Sequence, residues 1–205
     1  MSQLSSVLVL LLGLSACSEA PQRNLETRVL CVWDSWDGDL SAATPHLNAW
    51  NEEGHLLFTP KCPTPSMSSA LASFLTGMSV GGHGLRSIHE LGSETLSPEV
   101  STRAELFPDG ARTLGSVSRA HFSLLGLNRG VDEWRAPEIS QGASPRTAEE
   151  VWAVIEGSLE TALAADEPVL LVLHFSDLAG DNWRDATPTQ QQLEAGLAPW
   201  RGKGG

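Results

Sequence analysis

The feature that most constrains the fold is the stretch 28–39, which reads R-V-L-C-V-W-D-S-W-D-G-D. Its first half is a short run of apolar, β-branched and aromatic side chains, a pattern that predicts a strand buried on both faces, as in a parallel sheet. Asp34, Asp37 and Asp39 follow directly. Since ligands of open α/β sheets bind beyond the carboxyl ends of the strands, this acidic cluster is a candidate site for a hard cation. A solvated acidic loop is the alternative.

The composition is typical of one globular domain. The 205 residues are 41% hydrophobic and 19% charged, which is enough apolar material for a sizeable core. The net charge is -12, from 25 acidic and 13 basic residues, and the sequence contains no basic run. This charge argues against nucleic acid and anionic membrane surfaces as partners, and we attribute it to solubility.

The N-terminus has the pattern of a secretion signal. Residues 7–14 form an apolar core too short to span a bilayer as a mature helix. The L-S-A-C at residues 14–17 resembles a bacterial lipobox, which implies a signal peptide at 1–16, a lipid on Cys17 and a tether at 17–27. We therefore expect a lipid-anchored protein of the bacterial cell envelope that meets the membrane only through this lipid. Residues 1–6 lack the expected Lys or Arg, so an ordinary secretory signal or a cryptic start codon is the alternative.

Two cysteines remain if Cys17 carries a lipid. Cys31 lies inside the first strand and is most simply a small buried apolar residue. Cys62 lies in a loop between Pro60 and Pro63. An oxidising envelope would permit a disulfide, although nothing in the sequence indicates one.

Apolar periodicity predicts that helices and strands alternate along the chain. The predicted helices cover 44–54, Met67–Thr76, 105–106 and a long segment from residue 144, and the predicted strands cover 55–58, Arg112–Val117 and 168–175. The long helix has an apolar face at Val151, Ile155, Leu159 and Leu163. A loop made flexible by glycines surrounds His83. These elements predict an α/β fold, a parallel-type sheet with helices on both faces, over residues 28–183, followed by an irregular tail at 184–205.

Six segments within this domain share their order and spacing with a known family. They are the strand ending in Asp34, T-P-H-L-N-A-W-N-E-E-G-H-L-L-F-T, A-S-F-L-T-G with a later H-G, A-R-T-L-G, N-R-G-V-D-E-W and P-V-L-L-V-L-H-F-S-D. Together they resemble the sulfatases of the alkaline-phosphatase superfamily. The resemblance implies hydrolysis of sulfate or phosphate esters, with a divalent cation, usually calcium, holding the ester while a nucleophile attacks it.

The resemblance implies metal ligands at the carboxyl ends of two strands. Asp34 matches the first ligand of the family, and Ser35 stands where many members have a second Asp. Asp37 or Asp39 could compensate, and Asp39 keeps a spacing seen in some relatives. Asp177 matches the Asp of the family's "DPHxPY" segment.

The nucleophile position departs most from the family. Counting back from the L-T-G end of the signature places Met67 there, and a thioether cannot attack an ester. Ser66 and Ser68 flank this position and are the candidate nucleophiles, and Cys62 or Thr64 could serve only with a shifted loop. The alternative is that Ser66 caps the helix that begins at Met67.

Two further positions match the family only in part. Arg119 and His121 resemble its Lys-x-His pair, displaced by about one residue, which implies contact with the anionic ester; a surface loop is the alternative. Ala179 replaces the His that should follow Asp177. His174 could still face the site, and a packed or capping role is its alternative.

The resemblance implies a sulfatase-like hydrolase, shortened or degenerate, acting on a sulfate or phosphate ester of a small molecule or glycan. The family's remaining metal ligands lie in a later half, and this chain ends at Gly205. We therefore expect weak calcium binding and little or no turnover by this chain alone. The alternative is a catalytically inactive, envelope-anchored lipoprotein that uses the sulfatase fold for binding.

Overall fold

The computed structural model describes residues 8–13, 27–34, 64, 66–86, 95–139 and 144–176. The strands are β1 (Leu8–Gly13), β2 (Arg28–Trp33), β3 (Arg112–Val117), β4 (Glu133–Arg135) and β5 (Val169–Phe175). The helices are α1 (Met67–Thr76), α2 (Val80–His83), α3 (His121–Leu124), α4 (Ala148–Ala153) and α5 (Glu156–Ala164).

The strands form one sheet in the order β1-β2-β5-β3-β4. β2, β5, β3 and β4 run parallel. β5 lies at the centre of the sheet, and all seven of its residues are buried. Only such a position suits a continuous apolar run. The predicted α/β class and parallel-type sheet are therefore confirmed.

The edge strand β1 was not predicted as a strand. It pairs antiparallel with β2 and consists of the apolar stretch of the predicted signal peptide. This pairing belongs to the uncut chain and does not test whether the stretch is removed. Among the described helices, none combines the length and the apolar character needed to cross a bilayer.

Helices cover both faces of the sheet, as predicted. On one face, Val29, Cys31 and Trp33 of β2 pack with buried residues of α4 and α5. On the other face, Leu30 and Val32 pack with buried residues of α1 and α3. The alternation along β2 follows from the two-residue period of a strand, so one short strand contributes to both halves of the core.

The bounds predicted for β2, β3 and α1 are confirmed. Gly77 ends α1 with φ of 70°, a left-handed conformation that glycine adopts without steric cost. The strand predicted at 168–175 begins at Val169. The helix at 44–54 and the strand at 55–58 lie outside the described residues.

The long helix predicted from residue 144 is wrong in its start and its continuity. It begins at Ala148, because Thr147 and Glu150 form a capping box that fixes the first turn. It is then interrupted between α4 and α5. The predicted apolar face is nevertheless confirmed, since three of its members are buried and the fourth is partly buried: Val151, Ile155, Leu159 and Leu163.

Two smaller predictions are also corrected. The segment 105–106 lies in a turn rather than a helix. The glycine-rich loop around His83 contains α2, and His83 itself is buried. The hydrogen bonds of that side chain, given below, hold the loop in place.

Two segments that carry the family resemblance contact each other and stabilise the sheet edge. The backbone N–H and the hydroxyl of Thr113 both donate to Asp132 Oδ2, over 2.8 and 2.9 Å. The Trp134 ring lies over Gly115 so closely that any Cβ at this position would overlap it. These residues of A-R-T-L-G and N-R-G-V-D-E-W therefore act in packing.

Candidate functional site

Polar residues follow the carboxyl ends of β2, β5 and β3, which lie side by side in the sheet. The ladder continues past the strands: the Asp34 N–H donates to the Phe175 carbonyl (2.9 Å), and the Ser118 N–H donates to the His174 carbonyl (3.1 Å). Parallel packing thus brings distant parts of the chain to one place. We call the following residues the carboxyl-edge cluster: Asp34, Ser68, Ser118, Arg119, His121, His174 and Ser176.

Arg119 is held in the cluster by two side chains. Its Nη2 donates to Asp34 Oδ2 (3.1 Å), and its Nε donates to Ser176 Oγ (3.0 Å). The Arg119 side chain is 32% exposed, whereas that of Asp34 is 14% exposed. Among the described residues, Nη1 of Arg119 has no acceptor, so its donors are available to an anionic ligand. Arg119 lies in the short connection between β3 and α3, where these two contacts hold its side chain, and its contact with an anionic ester stays a prediction.

Ser68 and His121 lie next to each other in the cluster. Ser68 stands in the first turn of α1, His121 is the first residue of α3, and Ser68 Oγ lies 3.3 Å from His121 Nε2. Burial lowers the pKa of His121, the positive charge of Arg119 lowers it further, and Asp34 opposes both effects. A neutral imidazole at this distance can accept the serine proton. Ser68 itself is fully buried, so a substrate reaches its hydroxyl only if the groups that cover it move.

Ser66 occupies the N-cap position of α1, as the capping alternative predicted. Its hydroxyl nevertheless makes no capping hydrogen bond, and its Oγ is buried without a partner in the described part of the chain. No described hydrogen bond connects Ser66 to His121, in contrast to Ser68. The Ser66 side chain therefore leaves the N–H groups of the first turn of α1 uncapped, and this turn carries the positive end of the helix dipole.

His174 is packed beneath the cluster, which confirms the alternative of a packed role. Its ring lies 4.7 Å from that of Phe122, and its Nδ1 lies 2.9 Å from Ser118 Oγ. Burial lowers the pKa of His174 to about 3, and the charges of Arg119 and His121 act in the same direction. The ring is therefore neutral at neutral pH, and its Nε2 has no hydrogen-bond partner in the described structure.

Sequence reasoning missed Ser118 and Ser176. Each is the first residue after a buried parallel strand, β3 and β5 respectively. This position is the signal that could have identified them, because such residues border the ligand crevice of α/β sheets. Their hydroxyls lie 2.6 Å apart.

A second Ser–His pair, Ser73 and His83, has a structural role. The Leu85 N–H donates to His83 Nδ1 (3.1 Å), so Nδ1 is the acceptor and Nε2 carries the hydrogen in the neutral ring. Nε2 lies 2.9 Å from Ser73 Oγ and therefore donates to it. His83 consequently cannot remove the Ser73 proton, and it fastens α2 to α1.

The described residues by themselves do not fit a calcium ion. Calcium takes about six to eight oxygen ligands. No three His, Cys, Asp or Glu side chains of the described ranges form a group that could hold a metal ion. Asp34, the one predicted ligand among them, forms an ion pair with Arg119. Asp39 and Asp177 lie outside the described residues.

No cysteine among the described residues can act as a nucleophile. Cys31 is free and fully buried, and this burial raises the pKa of its thiol to about 12. It is therefore inert, in agreement with the prediction that it packs as a small apolar residue. Cys17, the predicted lipidation site, and Cys62 lie outside the described residues.

No protein-family model, no curated protein and no solved structure matches this chain. The sulfatase resemblance consequently stays a prediction. What the geometry adds is the position of four predicted site residues, Asp34, Ser68, Arg119 and His121, at one edge of the sheet.

Proposed function

We propose that this chain is a sulfatase-like protein whose carboxyl-edge cluster binds the anionic group of a sulfate or phosphate ester, on a small molecule or a glycan. The observation that carries the proposal is the guanidinium of Arg119, held by Asp34 and Ser176 in the same cluster as the Ser68–His121 pair, with Nη1 donors that have no acceptor among the described residues. A guanidinium is suited to the oxygens of such groups because its planar N–H donors match their spacing.

The first turn of α1 supports the same proposal. Ser66 does not cap the helix, so the N–H groups of the first turn keep the partial positive charge of a helix N-terminus. Ser68 lies in this turn and contacts His121, while Coulombic coupling links His121 to Arg119. A cationic side chain and a helix N-terminus thus flank the same imidazole, an arrangement that favours an anion.

A hydrolytic step at this cluster would use Ser68 and His121. Ser68 Oγ would attack the sulfur or phosphorus atom while its proton passes to His121 Nε2. The bond from that atom to the ester oxygen would break, and the leaving alkoxide would take the proton from His121. Water would then release the sulfate or phosphate from Ser68. Arg119 would neutralise charge on the transferred group throughout.

We expect this step to be slow or absent. Ser68 is fully buried, and Met67, which the family alignment places at the nucleophile position, packs against the core. These two observations favour the second candidate function, an envelope-anchored protein that binds the anionic ester without hydrolysing it. Calcium stays a prediction for both candidates, because the predicted ligands Asp39 and Asp177 lie outside the described residues.

Binding is tested by calorimetric titration of the purified chain with inorganic sulfate and phosphate. We expect Arg119→Met to abolish binding of both anions. Arg103→Met is the matched control, since Arg103 hydrogen-bonds Phe74 near the other end of α1, which is about 15 Å long. Equal binding by wild type and Arg119→Met, or no binding by wild type, would refute the proposal.

Turnover of aryl sulfate and aryl phosphate esters separates the two candidates. Little or no hydrolysis, together with anion binding, supports the binding protein. Robust hydrolysis that Ser68→Ala abolishes supports the hydrolase. Ser69→Ala is the matched control, because Ser69 is equally buried and its hydroxyl has no described partner. Loss of activity in Ser66→Ala instead would show that Ser66 is the nucleophile.

A further inference from the structure

An unbroken run of hydrogen bonds joins Arg119 to three side chains behind it. Arg119 Nε donates to Ser176 Oγ (3.0 Å), Ser176 Oγ lies 2.6 Å from Ser118 Oγ, and Ser118 Oγ lies 2.9 Å from His174 Nδ1. Ser118 and His174 are fully buried, and Ser176 is 7% exposed. The run therefore begins at a partly exposed cation and ends inside the core.

The backbone fixes the middle of this run. The Ser118 N–H donates to the His174 carbonyl (3.1 Å), and the Ser118 carbonyl accepts from the Arg146 N–H (2.9 Å). Ser118 consequently cannot rotate its backbone without breaking two hydrogen bonds, one to β5 and one to the segment that leads into α4. This rigidity distinguishes the run from a chance contact of mobile surface side chains.

Counting donors and acceptors leaves two possible directions for the run. Arg119 can only donate, so Ser176 Oγ accepts. If the Ser176 hydroxyl then donates to Ser118, and Ser118 donates to His174 Nδ1, every hydroxyl hydrogen has an acceptor. With the opposite direction, Ser176 would accept from both neighbours and its own hydrogen would have no acceptor in the described structure. The first arrangement places the ring hydrogen of His174 on Nε2, which is buried without an acceptor in the described structure. Each direction therefore leaves one donor without a described acceptor, and in both directions Ser176 Oγ accepts from Arg119.

We propose that Ser176, Ser118 and His174 form a positioning chain that fixes the guanidinium of Arg119 for an incoming anion. The inference rests on the proposed anion-binding function. Asp34 holds Nη2 and Ser176 holds Nε, and contacts at two different nitrogens of a planar group restrict its rotation. A donor group fixed before binding loses less conformational freedom when the ligand arrives.

His174 holds the buried end of the chain. Its Nδ1 fixes the hydroxyl of Ser118, Ser118 fixes that of Ser176, and a lone pair of Ser176 Oγ stays directed at Arg119 in either direction of the chain. A chain of this kind also polarises each hydrogen bond in the same direction. His174, Ser118 and Ser176 are thus positioning residues that act through Arg119.

The wild-type chain provides the first test, by ¹⁵N NMR of the His174 ring and of the Arg119 Nε–H. We expect the Arg119 Nε–H to exchange slowly with solvent, and the His174 ring signals give the direction of the chain. Rapid exchange of the Arg119 Nε–H would overturn the inference, and this measurement requires no variant that could fail to fold.

Variants provide the second test. We expect Ser176→Ala to speed exchange of the Arg119 Nε–H and to weaken sulfate binding, each about tenfold, and Ser118→Ala to have a smaller effect of the same sign. Ser118→Thr keeps the hydroxyl and should show the wild-type exchange rate of the Arg119 Nε–H and the wild-type affinity for sulfate. Ser116→Ala is the matched control, since this equally buried serine of β3 donates to the Val151 carbonyl outside the chain.

The outcomes separate this inference from the proposed function. Unchanged Arg119 Nε–H exchange in Ser176→Ala would overturn the positioning chain even if sulfate binds. If wild type binds no sulfate but the Arg119 Nε–H still exchanges faster in Ser176→Ala, the result would support the positioning chain and refute the anion site. Weaker binding in Ser116→Ala equal to that in Ser176→Ala would also overturn the inference, because any buried hydroxyl would then have the same effect.

Discussion

The fully buried His174 makes stability depend on pH in a way that can be isolated. Burial lowers its pKa from 6.5 to about 3 in the native protein. The unfolded chain takes up a proton near pH 6.5, whereas the native protein does so only near pH 3. The contribution of His174 to the free energy of unfolding is therefore present in full above pH 6.5 and is lost as the pH falls toward 3.

Lowering the pH from 7.5 to 5.5 measures this loss away from the isoelectric point of about 4.8, where association would interfere. The interval covers about one pH unit below the unfolded pKa. We therefore expect His174 to reduce the free energy of unfolding by about 1.4 kcal/mol over this interval. Other titrating groups contribute as well, so a reference protein without the imidazole is needed.

His174→Asn is this reference, because asparagine does not titrate and its side-chain oxygen can accept from Ser118. Urea unfolding followed by tryptophan fluorescence would give the free energy of both proteins at pH 7.5 and pH 5.5. Wild type should lose about 1.4 kcal/mol more than the variant. Equal losses in the two proteins, or an imidazolium signal from native His174 at pH 5.5, would refute the reasoning.

Three further predictions test packing, the anchor and the metal. Gly115→Ala should destabilise the fold by about 1–3 kcal/mol in urea unfolding, because its Cβ would overlap the Trp134 ring; a cost near zero would contradict this packing. Wild type should partition with membranes and Cys17→Ser should be released or keep its signal uncut, so equal solubility of both forms would exclude the lipid anchor. Millimolar Ca²⁺ should raise the melting temperature only slightly, since Arg119 already pairs with Asp34, and Asp34→Asn should abolish the rise; a rise that persists in this variant would place calcium elsewhere.

The long apolar runs and helical spacings of the sequence determined the main elements. β2 and β5 were predictable because strands buried on both faces must be continuously apolar. α1 was predictable because its small and apolar residues repeat at helical spacing and Gly77 permits the left-handed turn that ends it. These signals are local, so they are visible without knowledge of the packing.

Elements whose signal is not local were missed or misplaced. β4 has three residues, too few for a period, and it exists because β3 offers it a parallel partner. The start of α4 is set by the Thr147–Glu150 capping box rather than by the earlier proline at residue 145. The position of β1 likewise depends on a free edge of β2, which no local pattern reveals.

The residues of the candidate site could be predicted from the sequence, but the contacts between them could not. Asp34, Ser68, Arg119 and His121 follow from strand ends and from the family resemblance. Only the tertiary structure shows that His121 contacts Ser68, because this depends on how α1 is rotated on the sheet. The hydrogen bonds from Arg119 to Asp34 and Ser176 join residues 85 and 57 positions apart in sequence. Composition and spacing fix which side chains a chain carries, whereas the parallel order of β2, β5 and β3 decides which of them meet.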